Sequence, residues 1–370
     1  MNTKKILYIT PALPVGGAER FLIALSSRMK AWTNRQYILS LSDQNKLQNE
    51  VDPAVEFMAW PRQSKFDLAP LRRLRKFVKQ EQPDIIFCIN FFSYFVARMA
   101  LLGIKKQPRT IISYHSTKHL TRKEHWLHWL YIKMLRQNDE VICVSQKQAD
   151  YTFHTYRLRA TQVRVVLNGV DTDYWKPADS PAHRTAIRHE LAIPASAPVI
   201  ILTAAFRPEK NHLGAIRVLK HLHTQHHLKA YLLFVGDGPM RSGIEAEIKR
   251  QELGEYVKLA GLQSHVLPYY HAADIFTLVS DNVETFSIAA LEAMSCGLPL
   301  VLTNVGGASE MITEGVNGFL ATACEKNIAA NWEKALQANL SSSDIHQFAV
   351  EHFRIEKMLM AYKKLLQLPS

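Results

Sequence analysis

Two glutamates, Glu284 and Glu292, stand in the otherwise mostly apolar stretch ETFSIAALEAMSCGLP. A carboxylate in such surroundings is expensive unless it is paired or hydrogen-bonded. On one continuous helix, residues eight apart lie about 12 Å apart along the axis and about 80° around it, too far to converge on one atom. The local sequence suits another arrangement. A helix that starts near Phe286–Ser287, runs through IAALEAM and stops at Gly297, with Pro299 behind it, leaves Glu284 in the entry loop and Glu292 inside the helix. The backbone N–H groups of Phe286, Ser287 and Ile288 then point out of the helix N-terminus, where an anion is stabilised. Such a stretch can grip an elongated phosphorylated ligand, with amides for the phosphate and a carboxylate for hydroxyl groups at either end. The plain structural alternative is a loop glutamate and an exposed helical one. A glycosidase acid–base pair fits poorly, because those carboxyl groups lie roughly 5–10 Å apart across one bond.

Other residues invite similar weighing. Gly16 and Gly17, in PVGGAER, precede a helix and let backbone approach a phosphate, or they make a simple turn. Lys210, in RPEKNH, and Arg207 before it are either phosphate-binding cations or solvated turn residues. His115 ends the strand RTIISYH, where a ligand contact and a structural histidine are both open readings. VGDGP lacks the third glycine of a dinucleotide fingerprint, since Arg241 stands there, which argues against an NAD enzyme. Gly236 and Gly238 are then expected to let that loop lie close to a ligand. The histidines of HLHTQHHLK (His221, His223, His226, His227) fall on a surface helix and its exit loop, and no metal site is expected there.

The elements that must position these residues alternate. KKILYIT, QYILSLS, DIIFCIN, RTIISYH, EVICVS and QVRVVLN read as strands buried on both faces, with helical patterns at 18–30 and 67–80 among the segments between them. Asp67 is placed to cap the second helix. NGVDTDYWKPADSPAH breaks the rhythm, which restarts at VIILTAAF, AYLLFVGDG, YVKLAG, DIFTLVS and LPLVLTN. The expectation is α/β: two doubly wound domains, with the ligand at the carboxyl ends of the strands, in a cleft between them. The domains are placed at 1–170 and 195–350, with a linker at 171–194 and a C-terminal helix at 351–370 packing back towards the first domain.

The chain of 370 residues is 47 % hydrophobic and 21 % charged, a globular composition. Pro11 and Pro14 cut the first apolar run short of a signal sequence, so it is read as a strand. The four cysteines form no C-x-x-C pair, which argues against a zinc site or disulfide framework. The net charge of +12 is uneven: residues 1–175 hold 27 Lys and Arg against 14 Asp and Glu, while the remainder is nearly neutral. The first half is therefore expected to meet something anionic. No nucleic-acid reader motif is present, and the basic residues are scattered through an α/β domain. KHLTRKEHWLHWLYIKMLR sets paired tryptophans among basic residues, but its apolar residues run nearly all round a helix, so core packing competes with membrane contact.

The E-x7-E spacing from Glu284 to Glu292, followed in this chain by GLPLV, resembles the signature of retaining glycosyltransferases of family 4, which have the GT-B fold of two Rossmann-like domains facing a central cleft. PVGGAER, SYHS, VSQKQAD, LNGVDTDYW, FRPEKNH, LLFVGDGP, YYHAADIF and NVGGASEMI are similar to family segments in the same order. The resemblance implies a metal-independent hexosyltransferase that moves a sugar from a nucleotide-diphosphate donor, a UDP-sugar by preference, to a saccharide acceptor, with no cofactor. The acceptor would bind the first domain and be lipid-linked, in polysaccharide, lipopolysaccharide or glycolipid synthesis at the cytoplasmic face of a membrane. It implies catalytic roles for His115, Lys210 and Glu284. Donor contacts would come from Gly16, Gly17, Arg207, Lys210, Gly236, Gly261, Leu262, Glu284, Phe286, Ser287, Ile288 and Glu292. Glu292 would meet the ribose, Glu284 the donor sugar, and backbone around Gly261–Leu262 the base. One departure matters: the family pattern G-R-x-x-x-x-K has Ala205 where the arginine belongs, and Arg207 is the nearest substitute. An epimerase of the same fold, or a non-catalytic nucleotide-sugar-binding protein, is the alternative.

Overall fold

Short apolar strands alternate with helices throughout the computed structural model, which describes residues 4–63, 67–115 and 122–369, with backbone alone at 122–125 and 160. Two units are distinguished. The first comprises Met1–Asn168 and Glu356–Ser370, and the second Gly169–Ile355.

The first unit holds seven parallel strands: β1 (Lys4–Thr10), β2 (Thr33–Ser40), β3 (Val55–Ala59), β4 (Ile85–Ile89), β5 (Arg109–Tyr114), β6 (Glu140–Cys143) and β7 (Val163–Val165). Their order is β3-β2-β1-β4-β5-β6-β7. Tyr8 sits level with Ile38 on one side and Phe87 on the other, and the runs around all three are buried. Such runs are apolar on both faces because helices cover both. The helix Ala69–Glu81 buries Leu74 and Val78 and turns Arg72, Arg73 and Lys76 to solvent. Asp67 accepts the Ala69 N–H at 2.8 Å at its start. The helix Ile355–Leu366 lies with this unit, its fully buried Tyr362 packing on Phe21 and Phe87.

In the second unit six parallel strands run in the order β10-β9-β8-β11-β12-β13. They are β8 (Val199–Thr203), β9 (Tyr231–Val235), β10 (Val257–Gly261), β11 (Ile275–Leu278), β12 (Leu300–Thr303) and β13 (Gly318–Ala321). Trp332 is wholly buried beneath this sheet and donates its indole N–H to Thr277 Oγ1 at 2.9 Å.

Several expectations need correcting. Residues 171–194 are not a linker but part of the second unit, and contain the helix Pro181–Glu190. Its Arg188 is buried, donates to the carbonyls of Ala272 (2.9 Å), Ala195 (2.7 Å) and Ala197 (2.8 Å), and pairs with Asp274 at 2.8 Å. Polar fastening of this kind leaves no apolar periodicity to read. β3 and β13 are strands that the sequence pattern does not signal: β3 carries Glu56 at an edge, and β13 opens on a glycine. In the helix Arg122–Lys133, His128 and Ile132 face the core, but Trp126, Trp129 and Leu130 are 59, 46 and 38 % exposed. Residues 118–121 of that stretch, and Ser116 of SYHS, lie outside the described residues.

Candidate active site

In each sheet the strand order reverses at one place, and ligands of such sheets bind outside the carboxyl ends of the strands there. In the second unit that place lies between β8 and β11. Lys210 follows β8 through the short turn Pro208–Lys210, and Glu284 follows β11. Lys210 Nζ meets Glu284 Oε2 at 2.6 Å, with the two side chains 23 and 13 % exposed. Two of the expected catalytic residues are therefore in contact. Glu284 Oε1 also accepts the Thr285 N–H at 3.2 Å. The loop after β12 pins this segment: Gly307 N–H donates to the Thr285 carbonyl at 2.7 Å. Gly306 has φ +56°, and a Cβ on it would lie 2.0 Å from the Glu284 carbonyl oxygen.

Asn211 and His212, neither of them anticipated, hold the Lys210 side of the site. Asn211 adopts φ +52° and caps the helix His212–Gln225, its Oδ1 accepting the Gly214 N–H at 3.0 Å. Its Nδ2 donates to Asp281 Oδ1 at 2.6 Å, which ties the two loops together. His212 is buried between the rings of Phe206 and Phe234. Burial, and secondarily the charge of Lys210, lower its pKa to about 4, so it is neutral near pH 7.

The helix Ile288–Ser295 begins where the sequence places it. Ser287 caps it by accepting the Ala290 N–H at 3.2 Å, and Gly297 follows with φ +81°. The N–H groups of its first turn have no carbonyl within the helix to bind. Phe286 contributes backbone alone, since its side chain is buried against Phe353. Glu292 is half-buried rather than exposed, and its Oε2 accepts the Tyr270 hydroxyl at 3.1 Å. Tyr270 is fully buried; burial first, and then the Glu292 charge, push its phenol well above the ordinary range.

The remaining second-unit residues fall as follows. Gly236 and Gly238 are required by the chain's own backbone: a Cβ on them would lie 2.1 Å from the Ala204 oxygen and 2.7 Å from the Phe206 oxygen. The loops after β8 and β9 are thereby pressed together, with Phe206 N–H on the Asp237 carbonyl at 3.0 Å. Gly261 ends β10 at φ +72° and accepts the Gly236 N–H at 2.8 Å, with Leu262 exposed beside it. Arg207 is exposed, and its guanidinium makes no hydrogen bond or ion pair among the described residues. Of the clustered histidines, His223 meets the Ala230 carbonyl at 2.8 Å and His226 meets Glu333 at 2.6 Å.

In the first unit the order reverses between β1 and β4. Gly16 and Gly17 follow β1 and start the helix Gly17–Met29, whose Phe21 packs on the His115 ring at 4.6 Å. His115 follows β5. Its N–H donates to Asn90 Oδ1 at 2.9 Å, and its Nε2 lies 2.9 Å from Ser113 Oγ. Burial lowers its pKa to about 4, leaving a neutral imidazole that can exchange hydrogen bonds with hydroxyls. Asn90 opens the helix Asn90–Leu101 at φ +63°, a strained conformation for a non-glycine residue, directly after β4. The sequence signal for it is slight: an asparagine closing an apolar strand.

Residues 15–174 match the family described as Glycosyltransferase Family 4, and residues 183–351 match Glycosyl transferases group 1; together they take in most of the chain. The chain belongs to glycosyltransferase family 4. This family-4 chain is 26 % identical over 308 residues to N-acetyl-alpha-D-glucosaminyl L-malate synthase of Bacillus anthracis, covering 80 % of this chain and 78 % of that one. It is 31 % identical over 197 residues to the lipopolysaccharide 1,2-N-acetylglucosaminetransferase of Salmonella typhimurium, covering 50 and 49 %. The chain spans about half the length of that relative and of the D-inositol 3-phosphate glycosyltransferases it matches. Among solved structures, a glycosyltransferase from Rickettsia africae superposes with a TM-score of 0.83 at 20 % identity, over 99 % of this chain and all of that one. The Anabaena protein HepE, solved with UDP-glucose, gives 0.82 at 23 % identity, over 98 and 99 %. At these identities the likeness is one of fold: GT-B, with two Rossmann-like sheets. The family-4 membership makes the chain a glycosyltransferase.

Proposed function

We propose that this glycosyltransferase transfers a hexose from a UDP-sugar to a lipid-linked saccharide, with retention of anomeric configuration and without a metal. The contact between Lys210 and Glu284, at 2.6 Å across the strand-order reversal, carries the reading. It sets a cation and a carboxylate beside the first turn of the helix Ile288–Ser295, where a diphosphate and a sugar need opposite partners. Lys210, Arg207 and the amides of that turn take the diphosphate and neutralise the charge that grows on it as the glycosidic bond breaks. Glu284 holds the donor sugar, Glu292 the ribose, and the neutral His115 a sugar hydroxyl. The departing phosphate oxygen accepts the acceptor's proton on the same face, which preserves configuration. Because fixed positive groups surround the diphosphate, the reaction needs no divalent cation. The uridine preference is supported by the UDP and UDP-glucose complexes of the Anabaena neighbour.

Proton NMR of UDP-sugars incubated with the enzyme in EDTA tests this reading. The expected result is UDP release with a product of the donor's configuration. An inverted product overturns retention, and turnover restricted to GDP-sugars overturns the uridine donor. A second reading, a nucleotide-sugar-binding protein without turnover, is favoured by Ala205 in place of the family arginine; binding without any UDP release in the same experiment would establish it.

The acceptor proposal extends to location, as a peripheral protein at the cytoplasmic face of a membrane. The excess of basic residues in the first half supports it, as does the exposure of Trp126, Trp129 and Leu130 on one helix, with Lys133 5.0 Å from the Trp129 ring. Tryptophan beside lysine suits a headgroup layer, and anionic lipids attract the basic surface. The lipopolysaccharide role of the Salmonella relative is consistent with a lipid-linked acceptor.

A further inference from the structure

Arg109 opens β5 and Glu140 opens β6, so the groove they line lies at the opposite end of the first sheet from His115. It has a volume of about 760 Å3 and is bordered by three arginines, Arg98, Arg109 and Arg136, with Gln107, Asp139 and Glu140. One arginine and both carboxylates have partners. Arg109 donates to Glu140 at 2.9 Å and to the Leu365 carbonyl at 2.8 Å. Asp139 accepts the Tyr94 hydroxyl at 2.6 Å and the Arg136 backbone N–H at 2.8 Å.

The other two guanidinium groups are differently placed. Arg98, 5 % exposed, and Arg136 both donate to a single neutral acceptor, Gln107 Oε1, at 2.8 and 2.6 Å. The Gln107 amide is fixed in this sense, because its Nε2 donates to the carbonyls of Leu101 and Ile104, each at 3.1 Å. Two cations sharing one amide oxygen repel each other, although solvent at the exposed Arg136 screens part of that repulsion. Each guanidinium has five N–H donors, and neither is ion-paired among the described residues. An oxyanion between them replaces repulsion with charge-assisted, forked hydrogen bonds. We propose that this groove binds a phosphate-type oxyanion between Arg98 and Arg136, at a site separate from that of the donor diphosphate.

Calorimetric titration of the full chain with inorganic phosphate, at constant ionic strength, reads this directly. Binding on the order of 1 mM or tighter is expected, measured with UDP present to fill the donor site, retained in Lys210→Ala and weakened at least tenfold in Arg136→Gln. The Arg136 side chain is exposed, and an unchanged melting temperature in phosphate-free buffer shows that the variant folds. Arg98→Lys, which keeps the charge and loses the fork, should weaken binding likewise. Repeating the titration with glycerol 3-phosphate and with phosphatidic acid vesicles separates a soluble phosphate from a lipid headgroup: the source is the one whose binding falls in Arg136→Gln. No phosphate binding at about 20 mM, equal binding in Arg136→Gln, or loss of binding in Lys210→Ala overturns the site.

Discussion

Lys210 and Glu284 each neutralise the other at 2.6 Å, so removing one charge acts on both. Glu284→Gln keeps the shape and frees the lysine. Turnover is expected to fall about 100-fold or more, while affinity for the nucleoside diphosphate is kept or raised; steady-state kinetics beside calorimetry checks this, and near-normal turnover would remove Glu284 from the chemistry. His212 makes a prediction about pH. Its pKa is lowered to about 4 in the fold, against 6.5 for the unconstrained side chain, so below pH 6.5 the unfolded chain binds a proton that the folded one refuses. The stability it supports is complete above pH 6.5, is lost as pH falls towards 4, and amounts to on the order of 3 kcal/mol. Urea unfolding of wild type and His212→Phe at pH 7 and pH 4.5 should show a smaller pH dependence in the variant. At this scale the sequence was legible where a helix breaker closes an apolar run, as Gly297 does behind IAALEAM. Asn90 and Asn211 stayed hidden, because their positive φ and cross-loop hydrogen bonds join residues far apart in the chain.

Among the elements, buried strands were the easiest to read, since helices on both faces demand continuous apolar runs. The helix Ile288–Ser295 was legible from its apolar run and from Gly297 and Pro299 behind it. The helix Pro181–Glu190 was not, because Arg188 fastens it through carbonyls and Asp274 rather than through an apolar stripe. Arg188→Ala leaves the carbonyls of Ala272, Ala195 and Ala197 without this donor, while Asp274 keeps Arg184 at 2.6 Å and the Val199 N–H at 2.8 Å, and is expected to cost about 3 kcal/mol. Urea denaturation measures it, and a loss under about 1 kcal/mol would show that the clamp carries little of the unit's stability. Gly236 and Gly238 teach a related lesson: a glycine-rich loop beside a site suggests ligand approach, yet the close neighbour here is the chain's own backbone.

For the molecule as a whole, two Rossmann-like sheets and the family were legible because the motifs occur in order along nearly the entire chain. The division of the chain was less so: the expected linker belongs to the second unit. No helix among the described residues is long and apolar enough to cross a membrane. The proposed peripheral association would rest on charge and on the exposed Trp126 and Trp129. Sedimentation with phosphatidylglycerol vesicles is expected at low salt, to weaken as salt rises, and to fall at least fivefold when both tryptophans become alanine. No binding at low salt would remove the membrane proposal and leave the glycosyltransferase intact.

We propose that Lys210, beside Glu284, holds the donor diphosphate. Calorimetric titration of UDP into wild type and Lys210→Ala, both in EDTA, tests it most directly. Micromolar binding in wild type, weakened about 10- to 100-fold by loss of one charged hydrogen-bond partner, is the predicted result. Equal affinity in the two proteins would contradict it and move the diphosphate away from the strand-order reversal of the second sheet.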